Sequence, residues 1–211
     1  AEILQQLDIE TVLAFFRLVP VDLSVGIFEE LDQDLQIALL DKFRSDRAGL
    51  LLDEMSADDR ADLFEDLDET QIRRYLSAMS QSEASDVREL IQYEPDTAGG
   101  LMTTDFAPLQ ESMTVREALN FLRENSEEFE QIYYTYVIDE FTRLKGVATL
   151  KNIVLSKEET LIRDIMSDNV ISAKVNDDQE AVARLISDYD FYALPVTDQE
   201  NRIKGIITVD D

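Results

Sequence analysis

The sequence predicts an α+β chain of two domains, an all-α helical superhelix followed by an α/β tandem of two related units. Three observations predict it. Residues 1 to 97 carry apolar side chains at helical spacing with few Gly or Pro. The run Tyr93-Glu94-Pro95-Asp96-Thr97-Ala98-Gly99-Gly100 then breaks that pattern. Beyond the break, one stretch recurs 59 positions later.

In the first domain, residues 1–97, helix follows short helix. Leu35, Ile37, Ala38, Leu39 and Leu40 share one segment, and Leu50, Leu51, Leu52 and Met55 share the next. Ala61, Leu63, Phe64 and Leu67 mark another. Asp and Ser stand where N-caps belong, at Ser45-Asp46, Ser56-Ala57-Asp58-Asp59 and Asp68-Glu69-Thr70. Short polar connections suit a superhelical stack of antiparallel helices, with a compact bundle as the alternative. The Pro and paired Gly at 95–100 mark a hinge and the domain boundary.

The second half mixes strands and helices. Val137-Ile138-Asp139 through Val147-Ala148-Thr149 matches Val196-Thr197-Asp198 through Ile206-Ile207-Thr208. An amphipathic helix precedes each copy, Val115 to Asn125 and Glu180 to Tyr189. Each copy reads strand, helix, strand, turn, strand, helix start. The copies occupy 98–165 and 166–211, the second cut short at its C-terminal end. One copy alone buries too little apolar surface, so the twins should pack together. Gly205 to Asp211 reads as a strand running into a helix start. The expectation is a piece of a longer protein.

Lys and Arg number 19, Asp and Glu 46, and the net charge is −27. That charge repels phosphate backbones and anionic lipid surfaces, which argues against nucleic acid, and it attracts cations. The plain alternative is a very soluble acidic surface. There is no Cys and no His. Zinc and copper sites of the usual kind, thiol catalysis and His-based acid–base chemistry are therefore excluded. Any metal must be hard and oxygen-ligated: magnesium, calcium or manganese. No Gly-rich phosphate loop, metalloprotease pair, EF-hand pattern or nucleophile elbow occurs, so no enzyme is expected.

Three acidic clusters are candidate cation sites. Asp58, Asp59 and Asp62 crowd a helix start, and Asp58 and Asp62 share a face. Asp177, Asp178 and Glu180 crowd another start. For both, a capped and solvated acidic turn is the alternative. Asp188 and Asp190 flank Tyr189 at a helix end. Carboxylates there oppose the helix dipole unless a cation compensates, which makes Asp190 the most informative acid.

The paired units resemble a tandem of CBS motifs, named for cystathionine β-synthase. Gly205-x-x-Thr208-x-x-Asp211 fits the ending of that motif. Tyr93 to Thr103, Ile132 to Val137 and Ala183 to Phe191 resemble the corresponding runs of MgtE-type magnesium transporters. The helical half resembles that family's N domain, so the resemblance covers essentially the whole chain. It implies a membrane protein with this part on the cytoplasmic side. A connecting helix and a transmembrane pore domain should follow Asp211, and CBS pairs commonly make homodimers. It also implies regulatory Mg2+ between the N domain, the CBS pair and the connecting helix. The matching positions are the Gly100 carbonyl, Asp178, Glu180, the Ser187 carbonyl, Asp190 and Asp211. The helix start at Asp58, Asp59 and Asp62 matches the N-domain side of the Asp211 site.

A second function class is an adenine-nucleotide sensor, because CBS pairs often hold adenosine ligands such as ATP. Tyr134 is placed to stack a base, with a plain hydrophobic strand position as the alternative. Asn152 stands where that motif usually has an Asp that binds ribose.

Overall fold

The computed structural model describes residues 3–126 and 128–210. The chain divides into two compact units, Ala1–Gln92 and Tyr93–Asp211.

The first unit is a succession of short helices: α1 (Ile9–Leu18), α2 (Val21–Glu29), α3 (Gln33–Lys42), α4 (Ser45–Glu54), α5 (Ala57–Glu65), α6 (Glu69–Leu76) and α7 (Gln81–Leu90). Each packs on the helix two places along: α1 on α3, α2 on α4, and so on to α5 on α7. That repeating neighbour rule builds the expected superhelix rather than a compact bundle. Phe16, Phe28, Leu39, Leu52 and Phe64 lie in its continuous core.

Polar side chains fix the helix ends. Asp8 accepts from the Thr11 amide at 3.1 Å and caps α1. Asp68 and Gln71 form a capping box at α6. Two of the expected caps differ. Ser45 lies just inside α4 with Arg44 at the cap position. Ser56 stands at the cap of α5 without a side-chain cap bond, and its amide donates to Glu29 at 2.9 Å. At the other end of α1, Arg47 donates to the Phe16 and Val19 carbonyls at 2.6 and 2.7 Å. Arg60 is fully buried; it donates to the Leu52 carbonyl at 3.0 Å and pairs with Glu83 at 2.6 Å. This ties α5 to α4 and α7, and a buried guanidinium is tolerated only with such partners.

The second unit contains α8 (Ala98–Leu101), β1 (Pro108–Gln110), α9 (Val115–Glu124), β2 (Tyr134–Ile138), β3 (Leu144–Thr149), α10 (Leu150–Leu155), β4 (Ala173–Lys174), α11 (Gln179–Tyr189), β5 (Ala193–Thr197) and β6 (Ile203–Thr208). Two sheets form, ordered β1-β2-β3 and β4-β5-β6. In each, the first strand runs parallel to the second and the third antiparallel. Val137 pairs with Gly146, and Val196 with Gly205. The register shift falls at the same point of each hairpin, Val137/Ile138 and Val196/Thr197.

The hairpin turns are also twins. Asp139 accepts from the amides of Phe141 and Arg143 at 2.8 and 3.0 Å. Asp198 accepts from those of Glu200 and Arg202, both at 2.9 Å. The turns bond to each other: Leu144 N–H donates to the Asn201 carbonyl at 2.9 Å, and Ile203 N–H to the Thr142 carbonyl at 3.1 Å.

The two motifs exchange their lead-in segments. Thr103, in the lead-in of the first motif, bonds Ile206 of the second motif's β6 in both directions at 2.8 and 2.9 Å. Ser167, in the lead-in of the second motif, bonds Val147 of the first motif's β3 in both directions at 2.9 Å. Gly146 and Gly205 permit the approach, since a Cβ there would collide with Met166 and Ser167, or with Met102 and Thr103.

Thr142 and Asn201 both adopt left-handed backbone, at φ 60° and 61°. Asn tolerates this conformation, and its Nδ2 donates to the Leu144 carbonyl at 2.9 Å. A β-branched Thr adopts it only under strain. Thr142→Asn should therefore stabilise the protein by about 1 kcal/mol, with Asn201→Thr destabilising by a similar amount. Urea unfolding monitored by circular dichroism reads both; an unchanged or lower midpoint for Thr142→Asn would contradict the assignment of strain.

Candidate functional site

The candidate metal-site residues of the second unit gather around α11. Asp178 caps the helix, accepting from the Glu180 amide at 2.9 Å. Backbone bonds hold α8 against this helix start: Ala98 N–H to the Asp177 carbonyl at 2.8 Å, Gly99 N–H to Val175 at 2.9 Å and Gln179 N–H to Asp96 at 3.0 Å. Gly100 is buried in α8, where a Cβ would strike the Glu94 and Pro95 carbonyls. Glu180, Ser187 and Asp190 line one cavity of about 710 Å3, together with Leu101, Ile186 and Phe191. Glu180 also pairs with Arg184 at 3.0 Å, an exposed and solvent-screened contact.

Asp190 is the C-cap of α11, at φ 51° and ψ 43°. The left-handed cap favours Gly or Asn, and the negative end of the helix dipole disfavours a carboxylate. The residue at this position is therefore unfavourable on two counts. A cation beside it would remove the electrostatic one.

The donors around this cavity are oxygens, as a hard cation requires. Among the described residues, no group of three or more carboxylates is arranged to hold a metal by itself. Magnesium retains several waters, so a sparse set of one or two carboxylates and a carbonyl suits it. Asp58 and Asp59 occupy the first turn of α5 in the first unit, and Asp62 follows on the same helix. The Asp62 carbonyl accepts from Gln33 at 2.8 Å. Asp211 lies outside the described residues.

A second cavity, of about 200 Å3, lies between the two motifs. Tyr134 and Asn152 both line it. Phe191 contributes a second aromatic ring, and Thr149, Ser167 and Asn169 contribute uncharged polar groups. The Asn152 amide is held by the Thr149 hydroxyl at 3.1 Å, and its side chain leans on the Ile165 carbonyl at 3.4 Å. Tyr136 forms part of the wall; its hydroxyl is buried with no protein hydrogen-bond partner, and burial raises its pKa. Such a lining suits a flat ring flanked by sugar-like hydroxyls.

Phe191, Ser167 and Asn169 escaped sequence reasoning as cleft residues.

The MgtE intracellular N domain matches residues 1–96, and the CBS domain matches residues 98–158 and 162–211. The crystal structure of the soluble part of a magnesium transporter superposes with a TM-score of 0.91 at 38% identity, covering 99% of this chain and 82% of that one. The chain belongs to the MgtE family. The cytosolic domain of the Mg2+ channel MgtE in complex with ATP superposes with a TM-score of 0.86 at 35% identity, covering 99% of this chain and 90% of that one. Among curated relatives, the magnesium transporter MgtE of Thermus thermophilus is 44% identical over 144 residues, 68% of this chain and 32% of that protein. The Enterococcus faecalis MgtE is 46% identical over 129 residues, 61% of this chain and 28% of its own length. The chain thus spans only a minor part of the MgtE proteins it matches. Those relatives are named as transporters, which agrees with a chain that is not an enzyme. Among the described residues no helix is long and apolar enough to cross a membrane.

Two substitutions test the geometry of α11 in metal-free buffer. Asp190→Asn should raise the unfolding midpoint, because Asn suits the left-handed cap and removes the charge. Asp178→Ala should destabilise by about 1 kcal/mol through loss of the cap. Thermal unfolding in EDTA reads both, and a lower midpoint for Asp190→Asn would contradict the placement of that carboxylate.

Proposed function

We propose that this chain is the cytosolic magnesium-sensing region of an MgtE-type magnesium transporter. The observation that carries this reading is the end-to-end likeness to the soluble part of a magnesium transporter, over 99% of the chain. The net charge of −27 and the absence of Cys and His add a preference for hard cations. In this reading the ion sites draw on the Gly100 and Ser187 carbonyls and on Asp178, Glu180 and Asp190. The acids Asp58, Asp59 and Asp62 serve with Asp211.

The switch is electrostatic. Two unit charges 4 Å apart repel by about 4 kcal/mol at an effective dielectric near 20. Without divalent cation, acidic faces of the N domain and the CBS pair repel. Bound Mg2+ cancels the repulsion, bridges the faces and favours the closed state by its higher affinity for it. In the whole protein, closure acts through the connecting helix on the pore, and the CBS pairs of two copies associate.

The test is small-angle scattering of the 211-residue chain across a magnesium titration. Compaction at millimolar Mg2+ is expected, and Asp58→Asn combined with Asp59→Asn should move its midpoint to higher concentration. A radius of gyration that ignores Mg2+ would contradict the switch.

The cleft between the motifs supports a second reading, an adenine-nucleotide site acting beside the metal sites. Its aromatic walls Tyr134 and Phe191 and the polar side chain of Asn152 carry that reading. Calorimetry with ATP tests it: Tyr134→Ala should weaken binding by about 5- to 150-fold, since base–aromatic stacking contributes about 1–3 kcal/mol. Unchanged affinity would remove Tyr134 from the site.

A further inference from the structure

Tyr136 lies on β2 two residues from Tyr134, and alternate residues of a strand share a face. Both side chains line the cleft between the motifs. Tyr136 is only 1% exposed, and its hydroxyl has no hydrogen-bond partner among the described residues. Thr149, Asn152, Ser167 and Asn169 line the same cleft, yet none of them bonds it. A buried hydroxyl without a partner carries an uncompensated desolvation cost, and such groups are few in native proteins.

The fold does not require this hydroxyl. Pro195 holds the twin position, 59 residues further on. It takes the same place in its hairpin, since Tyr136 pairs with Val147 and Pro195 with Ile206. Pro195 is buried in the same cleft wall and has no polar side-chain atom. The Tyr136 ring packs edge-on against Phe106, with 6.0 Å between centroids. A phenylalanine ring would make that contact equally well. Burial above all, and the neighbouring Tyr134 phenol, raise the Tyr136 pKa. The hydroxyl therefore keeps its proton and can both donate and accept.

Its depth shows which part of a ligand it would meet. Asn152 is exposed and stands toward the mouth of the cleft, whereas Tyr136 is buried and stands at the inner end. A base held by the Tyr134 and Phe191 rings, with its sugar at Asn152, turns an edge inward. We propose that the Tyr136 hydroxyl is a ligand-binding group of the cleft and completes its hydrogen bonding on the edge of the bound base. This rests on the nucleotide reading above. Stacking on aromatic faces accepts any base, whereas a polar group at the edge reads the base itself.

The test compares the 211-residue chain with its Tyr136→Phe variant, by isothermal titration with ATP and by thermal unfolding without ligand. Tyr136→Phe should weaken ATP binding about 2- to 12-fold, the loss of one neutral hydrogen bond. The ligand-free midpoint should hold or rise, because the variant removes only an unpaired buried hydroxyl. These two readouts moving in opposite directions separate a binding group from a structural one. A lower ligand-free midpoint marks a structural hydroxyl and overturns the proposal. So does unchanged ATP affinity in Tyr136→Phe while Tyr134→Ala weakens binding, an outcome that leaves the nucleotide reading standing. Absence of ATP binding to the parent protein overturns both readings together.

Discussion

The reciprocal exchange between the two motifs is the constraint on which the second unit depends. Each motif's lead-in segment bonds the last strand of its twin, Thr103 to Ile206 and Ser167 to Val147. Neither sheet can complete its hydrogen bonds alone, and unsatisfied backbone groups in a buried edge are costly. Gly146 and Gly205 are the sequence's concession to that contact. The turns add a second pair of crossed bonds through Thr142 and Asn201. The inter-motif cleft is thus a product of the pairing.

From that frame the candidate sites follow. The α8 turn is bonded to the start of α11, and Leu101 of α8 lines the same cavity as Glu180 of α11. The end of α11 turns through a left-handed Asp190 and delivers Phe191, which lines both cavities. A cation beside Asp190 and a ring beside Phe191 would act on adjacent residues of one helix end. In the first unit, Arg60 performs the comparable service for the acid-bearing helix, anchoring α5 from inside while Asp58 and Asp59 occupy its first turn.

Much of this was legible in the sequence, for identifiable reasons. The helical half shows a period, and the second half shows a repeat whose register the structure preserves residue for residue at Gly146 and Gly205. The strand–helix order follows from alternation and spacing. The exchange of lead-ins was not legible, because it is a long-range pairing between segments with no apolar period of their own. Ser45 reads as a cap and lies one residue inside α4, a register that composition does not fix, whereas Ser56 holds the cap position of α5 without making the side-chain bond. Tyr134 and Asn152 were found together because the motif places them, whereas Phe191 faces the same cleft from the opposite motif, a proximity created only by folding. A sparse oxygen site has no spacing signature, so the metal residues rested on likeness and on the helix-end electrostatics of Asp190.

Screening alone would steady a chain of charge −27, since any salt weakens self-repulsion. The decisive comparison is therefore thermal unfolding in magnesium chloride against sodium chloride at equal ionic strength. A sensor binds the ion in its folded state, so magnesium should raise the midpoint further, with an increment that grows with free Mg2+ above its dissociation constant. Identical midpoints in the two salts would leave an acidic regulatory fold without a magnesium site, and the central claim would fail.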